Sequence, residues 1–189
     1  MQTAIMRLTE SPCSFTFTDQ DFDRVNFKAT EIYDNEVTRH RRDFQRVYNS
    51  TLLGEMAELA LLRRGAQVNM NNRYGFDHTD PKSYMWDVEY DGQLIEVKCV
   101  PTKTKFYNIH ARQYDKYVRS MVKEVRPTRI IVGYNMKDHL PTRDNSNVRI
   151  GWMLNQDFAQ FMQPGRVKRS QYGSGYYANK NVQMPKGGV

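Results

Sequence analysis

The spacing of apolar residues changes along the chain, and each change marks an element. Over residues 18–65 they recur three and four apart, with Leu52, Leu53, Met56, Leu59 and Ala60 on one face. That stretch predicts two or three helices, with Thr18 as N-cap and Gly65 as stop. "AQVNM" then predicts a short strand, and "NNRYGFDHTDPKSY" a polar loop. In "MWDVEYDGQLIEVKCV" the period drops to two, as in a hairpin. Asp91-Gly92 is a favoured two-residue turn, so Tyr90 should face Gln93, Glu89 face Leu94, Val88 face Ile95 and Asp87 face Glu96. By strand alternation Trp86, Val88, Ile95 and Val97 share an apolar face, and Asp87, Glu96 and Lys98 share the other.

"PTKTKFY" then reads as a basic loop. A helix capped by Asn108 and running to about residue 126 follows, with Tyr114, Tyr117, Val118, Met121, Val122 and Val125 as its apolar stripe and Pro127 ending it. "TRIIVGYNM" and "NVRIGWML" read as strands joined by the polar loop "KDHLPTRDNS". "NQDFAQFM" reads as a short helix capped by Asn155 and stopped by Pro164-Gly165. The economical organisation is one α/β domain over residues 1–163, its first 50 residues helical, followed by a basic tail at 164–189.

Composition narrows the class. With 189 residues, 39% of them hydrophobic and 26% charged, the chain has the size and make-up of one ordinary folded domain. No apolar run approaches the roughly 20 residues that span a bilayer, and "MQTAIMRLTESPC" does not read as a signal peptide. A cytoplasmic protein is the expectation, with Cys13 and Cys99 as free thiols. The net charge of +7 and pI near 9.4 favour a polyanionic partner, nucleic acid before others. The tail carries Arg166, Lys168, Arg169, Lys180 and Lys186 among Tyr172, Tyr176 and Tyr177. Such a segment suits a phosphate backbone and stacked bases, and equally a solvated tail. The basic run at residues 38–46 reads as a solvated helix face no less than as a DNA contact. No Walker loop, zinc-type His and Cys spacing or G-x-S-x-G elbow offers a rival chemistry.

The hairpin does carry chemistry. Directly opposed Asp87 and Glu96 would have β-carbons about 5 Å apart, and like charges so placed repel each other. Lys98 can offset only part of that repulsion, as a cross-strand ion-pair cluster. A divalent cation with oxygen ligands, Mg²⁺ or Mn²⁺, resolves it more fully.

Asp87, eight residues, then Glu96-Val97-Lys98 resembles the signature of the PD-(D/E)XK nucleases, the restriction-endonuclease-like superfamily. "GEMAELALLRRGAQV", residues 54–68, is similar to its first core helix, and Gln113 and Tyr117 reproduce the Q-x-x-x-Y spacing of RecB-like members. The resemblance covers about residues 50–154, and departs from the pattern where Trp86 stands in place of Pro before Asp87. It implies an αβββαβ core, a mixed central sheet flanked by helices. It further implies hydrolysis of DNA phosphodiesters with Mg²⁺ or Mn²⁺ held by Asp87, Glu96, the Val97 carbonyl and Glu58, with Glu55 in reserve.

Lys98 would orient the attacking water or help to deprotonate it. Lys103, Lys105, Arg112 and Gln113 would meet the flanking DNA. An endonuclease is the first expectation. The pattern also looks like archaeal-type Holliday junction resolvases, which makes branched DNA the main alternative substrate. A catalytically silent nucleic-acid-binding protein is the alternative from another class. A compact nuclease without an appended helicase or recognition domain suits a bacteriophage, acting in the host cytoplasm. A homodimer fits if both strands are cut, since two cuts need two sites.

Overall fold

Thr18 opens the first long helix through a reciprocal cap. Its N–H donates to Asp21 Oδ2 at 2.8 Å, and its Oγ1 accepts from the Asp21 N–H at 3.2 Å. In the computed structural model, which describes residues 4–10, 12–36, 43–70, 85–102, 106–110, 127–162, 168–169 and 175–179, this helix is α2, Asp19–Glu36. A short helix α1, Ala4–Leu8, and a strand β1, Cys13–Thr16, precede it. Helix α3, Phe44–Leu62, is capped by Asp43, whose Oδ1 accepts from the Arg46 N–H at 2.8 Å. Just past its end Gly65 takes φ +97°, a conformation glycine adopts without Cβ strain.

The strands β2, Gln67–Val68, β3, Val88–Tyr90, and β4, Gln93–Val100, form an antiparallel meander. Strand β6, Arg129–Asn135, lies parallel to β4, and β7, Asn147–Asp157, returns antiparallel to β6 and pairs with β1. The six-stranded order is β1-β7-β6-β4-β3-β2. A parallel pair needs a long crossover, which residues 101–128 supply. Within that crossover β5, Phe106–His110, joins β9, Gly175–Asn179, and β8, Lys168–Arg169, in a separate three-stranded sheet ordered β5-β9-β8.

The core has two sides. On one, Ala57 and Leu61 of α3 pack on Val88, Ile95, Val97 and Ile131, while Leu52, Met56 and Ala60 meet Phe22 and Val25 of α2 and Val148 and Ile150 of β7. On the other, Trp86, Val100, Ile130, Val132 and Met153 pack with Phe158 and Phe161 of a short helix α4, Phe158–Phe161. Each fully buried Val, Leu, Ile, Met or Phe among them contributes about 1.5–3 kcal/mol. No described helix is long and apolar enough to cross a membrane.

The hairpin keeps the expected register, Val88 with Ile95, Glu89 with Leu94 and Tyr90 with Gln93. Its turn has positive φ at Asp91 (50°) and Gly92 (70°), as a two-residue hairpin turn requires. Four expectations need correction. Pairing ends at Val88, and the Asp87 N–H donates to Ile95 O at 2.9 Å, so Asp87 and Glu96 do not face each other across a ladder. The bend there also turns Trp86 to the far side, into the core with Met85 and Val100 instead of beside Val88. The last helix is capped by Asp157, whose Oδ1 accepts from the Gln160 N–H at 3.1 Å, while Asn155 lies within β7. Finally, Phe106 and Tyr107 are in β5 and not in a loop, and Asn108 pairs with Tyr177 instead of starting a helix. The remainder of that expected helix, 111–126, lies outside the described residues, as does Pro164-Gly165.

Candidate active site

Helix α3 packs against α2, and this brings two pairs of opposite charge together. Glu55, 2% exposed, accepts from Lys28 Nζ at its Oε1, and its Oε2 lies 3.1 Å from Arg24 Nε. Glu58 Oε2 lies 3.5 Å from Lys28 Nζ and 3.9 Å from Arg24 Nη2. Arg24 and Lys28 are four apart on α2, and Glu55 and Glu58 three apart on α3, so each pair presents one helix face to the other.

The hairpin supplies the rest. Asp87 Oδ2 accepts from the Val97 N–H at 2.7 Å. Two residues along β4 from Glu96, Lys98 donates through Nζ to Glu96 Oε1. Glu96 is buried and Lys98 half-buried.

The fields of these groups overlap. Burial, then the Glu55 and Asp87 carboxylates, push Glu58 up to about 8 against the pull of Lys28 and Arg24. Burial and Glu96 push Asp87 up to about 7, against Lys98, the Val97 N–H and Lys28. Burial alone would lower the Lys98 ammonium, but Glu96, Asp87 and Glu58 outweigh it and raise it. In the same way burial of Lys28 is outweighed by Glu58 and Glu55, so it too is raised. Asp87 thus acts on Glu58, and Glu58 on Lys98, so the α3 acids and the hairpin lie within one another's electrostatic reach.

Glu58, Asp87, Glu96 and Lys98 thus come together, with Val97 between the last two giving its N–H to Asp87. Lys103, Lys105, Arg112, Gln113 and Tyr117 lie outside the described residues. Arg24 and Lys28 are site residues that sequence reasoning missed. The available signal was their spacing of four on a helix preceding the acidic one, but such a pattern most often marks a solvated face. A groove of about 560 Å³, lined by Arg46, Asn49, Thr102, Lys137 and His139 among others, lies past the C-terminal end of β4 and includes none of these carboxylates.

As placed, no three His, Cys, Asp or Glu side chains among the described residues stand close enough to hold one metal ion. The donor set nevertheless suits a hard divalent cation in kind, being all carboxylate oxygen. Like-charge repulsion contributes to the upward shifts of both Asp87 and Glu58, and a cation between them would relieve it.

Compared with known families, residues 1–180 match the family model described as Bacteriophage T4 endonuclease IV. No curated protein and no solved structure matches the chain.

Proposed function

The chain belongs to the bacteriophage T4 endonuclease IV family, and from that premise we propose that it is a divalent-metal-dependent endodeoxyribonuclease acting at the Glu58, Asp87, Glu96 and Lys98 cluster. The observation that carries this reading is the meeting of three carboxylates and a lysine from a helix and a hairpin, with Asp87 raising the charge cost of Glu58 and Glu96 raising that of Asp87. A purely structural ion-pair cluster would balance its charges. Among the described residues four carboxylates, Glu55, Glu58, Asp87 and Glu96, meet three cations, Arg24, Lys28 and Lys98.

The element order supports a PD-(D/E)XK-type core. Helix α3 leads into the antiparallel strands β2, β3 and β4, and β6 then lies parallel to β4. In this reading Asp87, Glu96, Glu58 and the Val97 carbonyl hold Mg²⁺ or Mn²⁺. When bound, that ion lowers the pKa of a coordinated water and offsets charge on the scissile phosphate.

The chain's own groups do the remainder. The Val97 N–H fixes the orientation of the Asp87 carboxylate. Lys98, its ammonium favoured by Glu96 and Asp87, stays protonated at neutral pH. It therefore serves as a donor that steadies Glu96, orients the attacking water and stabilises developing negative charge, and not as the base that removes a proton. In this reading Arg46 and Lys137, which line the groove past β4, would hold flanking backbone, contacts that position the substrate without specifying its sequence. The protein would act on DNA in the cytoplasm of the phage's host.

Supercoiled plasmid, single-stranded circular DNA and a synthetic four-way junction, each incubated with Mg²⁺, Mn²⁺ or EDTA, test the proposal. Metal-dependent cleavage of the plasmid or the circle is expected, with none in EDTA. Cutting confined to the junction would make the protein a resolvase. No cutting of any substrate with either metal would leave a binding protein on a nuclease scaffold.

A further inference from the structure

Among the described residues, two of the three cations at the site come from α2 and not from the hairpin. Both oxygens of Glu55 are engaged by them, Oε1 by Lys28 and Oε2 by Arg24 at 3.1 Å. The carboxylate is 2% exposed, yet the Arg24 and Lys28 side chains keep 33% and 30% of their surface open. The anchor is buried while the cations remain accessible. A buried ion pair seldom joins two helices better than apolar packing does, so two cations on one buried carboxylate call for a reason beyond stability.

Their position supplies one. Lys28 Nζ is 3.5 Å from Glu58 Oε2, and its charge is felt at Asp87, so it borders the carboxylates of the site. Arg24 is ion-paired to Glu55, its Nε 3.1 Å from Oε2 without a hydrogen bond to that oxygen, and carries N–H groups in the planar fork that matches phosphate oxygens. Phe27, 64% exposed and one residue before Lys28, adds a ring able to cover the apolar part of a nucleotide.

We propose that Arg24 and Lys28 form a phosphate-binding pair of the nuclease site, held in place by Glu55, which grips the DNA backbone next to the scissile bond. Glu55 is then an anchor for cations and not a metal ligand, a division of labour that separates it from Glu58 three residues on. The assignment rests on the nuclease reading above.

The test measures DNA binding as well as cleavage. Fluorescence anisotropy of a labelled oligonucleotide is recorded over a range of salt in a Lys98→Ala background, without metal and with Mn²⁺. Arg24→Gln, Lys28→Gln and Lys28→Arg are compared, with thermal melts to check folding. Each Gln variant should weaken binding by about tenfold and lower the slope of log affinity on log salt by about one. Lys28→Arg should restore most of the affinity. In cleavage with Lys98 intact, KM should rise in the Gln variants by more than kcat falls.

Affinity, salt slope and KM unchanged in both Gln variants would overturn the proposal and leave the cluster a fold-stabilising contact. If Lys28→Gln fails to fold, Arg24→Gln, at the more exposed end of the pair, decides. A wild-type protein that cuts no DNA with any metal would instead fail the nuclease reading itself.

Discussion

Asp87 and Val97 are joined by a side-chain hydrogen bond where strand pairing would have been expected. Asp87 Oδ2 accepts from the Val97 N–H at 2.7 Å, while the Asp87 N–H turns to Ile95 O. The acid is therefore held by the strand that carries Glu96 and Lys98, and its orientation survives the end of the β3 ladder.

Replacing Asp87 by Asn keeps an oxygen that can accept the same bond while removing a charge that Glu96 opposes. Asp87→Asn should melt at the wild-type temperature or above it in EDTA at pH 8, and yet lose cleavage by about 100-fold or more. Asp87→Ala loses the bond too and should be about 1 kcal/mol less stable than the Asn variant. Thermal melts and single-turnover rates on the same preparations check both statements.

Acidity gives a second prediction. Glu58 at about 8 and Asp87 at about 7 lie above the unfolded carboxylate values of about 4. Between those limits the folded chain binds more protons than the unfolded one, so these groups lower stability as pH rises from about 4 to 8 and cost nothing further above that. The raised Lys98 acts near its own, much higher pKa and does not enter this window. In EDTA the melting temperature of the wild type should therefore fall, from pH 5 to pH 8, relative to a Glu58→Gln/Asp87→Asn double variant. A difference that stays constant with pH would contradict the charge excess inferred for the site.

Glu55 should matter to the fold as well. Glu55→Ala leaves two cations facing a desolvated position, and removing one partner of a buried ion cluster costs about 3–5 kcal/mol. Because Arg24 and Lys28 retain access to water, the lower end of that range is expected in urea denaturation. A loss under about 1 kcal/mol would show that the cations swing free without penalty.

At the start of α2, Thr18→Ala removes one half of the reciprocal cap with Asp21 and should cost about 1 kcal/mol. Asp21→Ala should cost more, because Asp21 Oδ2 also lies 2.7 Å from Arg63 Nη2 past the end of α3. Chemical denaturation of the two variants checks the order.

Much of the site could be read from the chain because local chemistry fixes it. The Asp91-Gly92 turn sets the register of β3 and β4, and the register places Glu96 and Lys98 on one face. Helical spacing leaves Glu55 and Glu58 as alternatives, and only the resemblance of the segment from Gly54 to a nuclease core helix favours Glu58, while β6 and β7 follow from their β-branched and aromatic runs. What stayed hidden depends on contacts between distant segments. Strand β1 has only four residues and earns its place by pairing with β7, more than 130 positions away in the case of Cys13 and Ile150. The bend that sends Trp86 to the far core follows from Asp87 bonding to Val97 instead of pairing, which alternation does not foresee. Asn108 could cap a helix as well as sit in a strand, and its partner Tyr177 lies in the tail. Arg24 and Lys28 look like a solvated face until α3 is laid against α2.

The proposed site of DNA cleavage is the cluster of Glu58, Asp87, Glu96 and Lys98. The most direct measurement is the single-turnover cleavage rate with Mg²⁺ for wild type, Asp87→Asn, Glu96→Gln, Lys98→Ala and Glu58→Gln, each shown by melting to be folded and by anisotropy to bind DNA. Loss of cleavage is expected in the first three variants, a partial loss in Glu58→Gln, and retained DNA binding throughout. Wild-type cleavage rates in folded Asp87→Asn and Lys98→Ala would contradict that proposal and put the active site elsewhere on the chain.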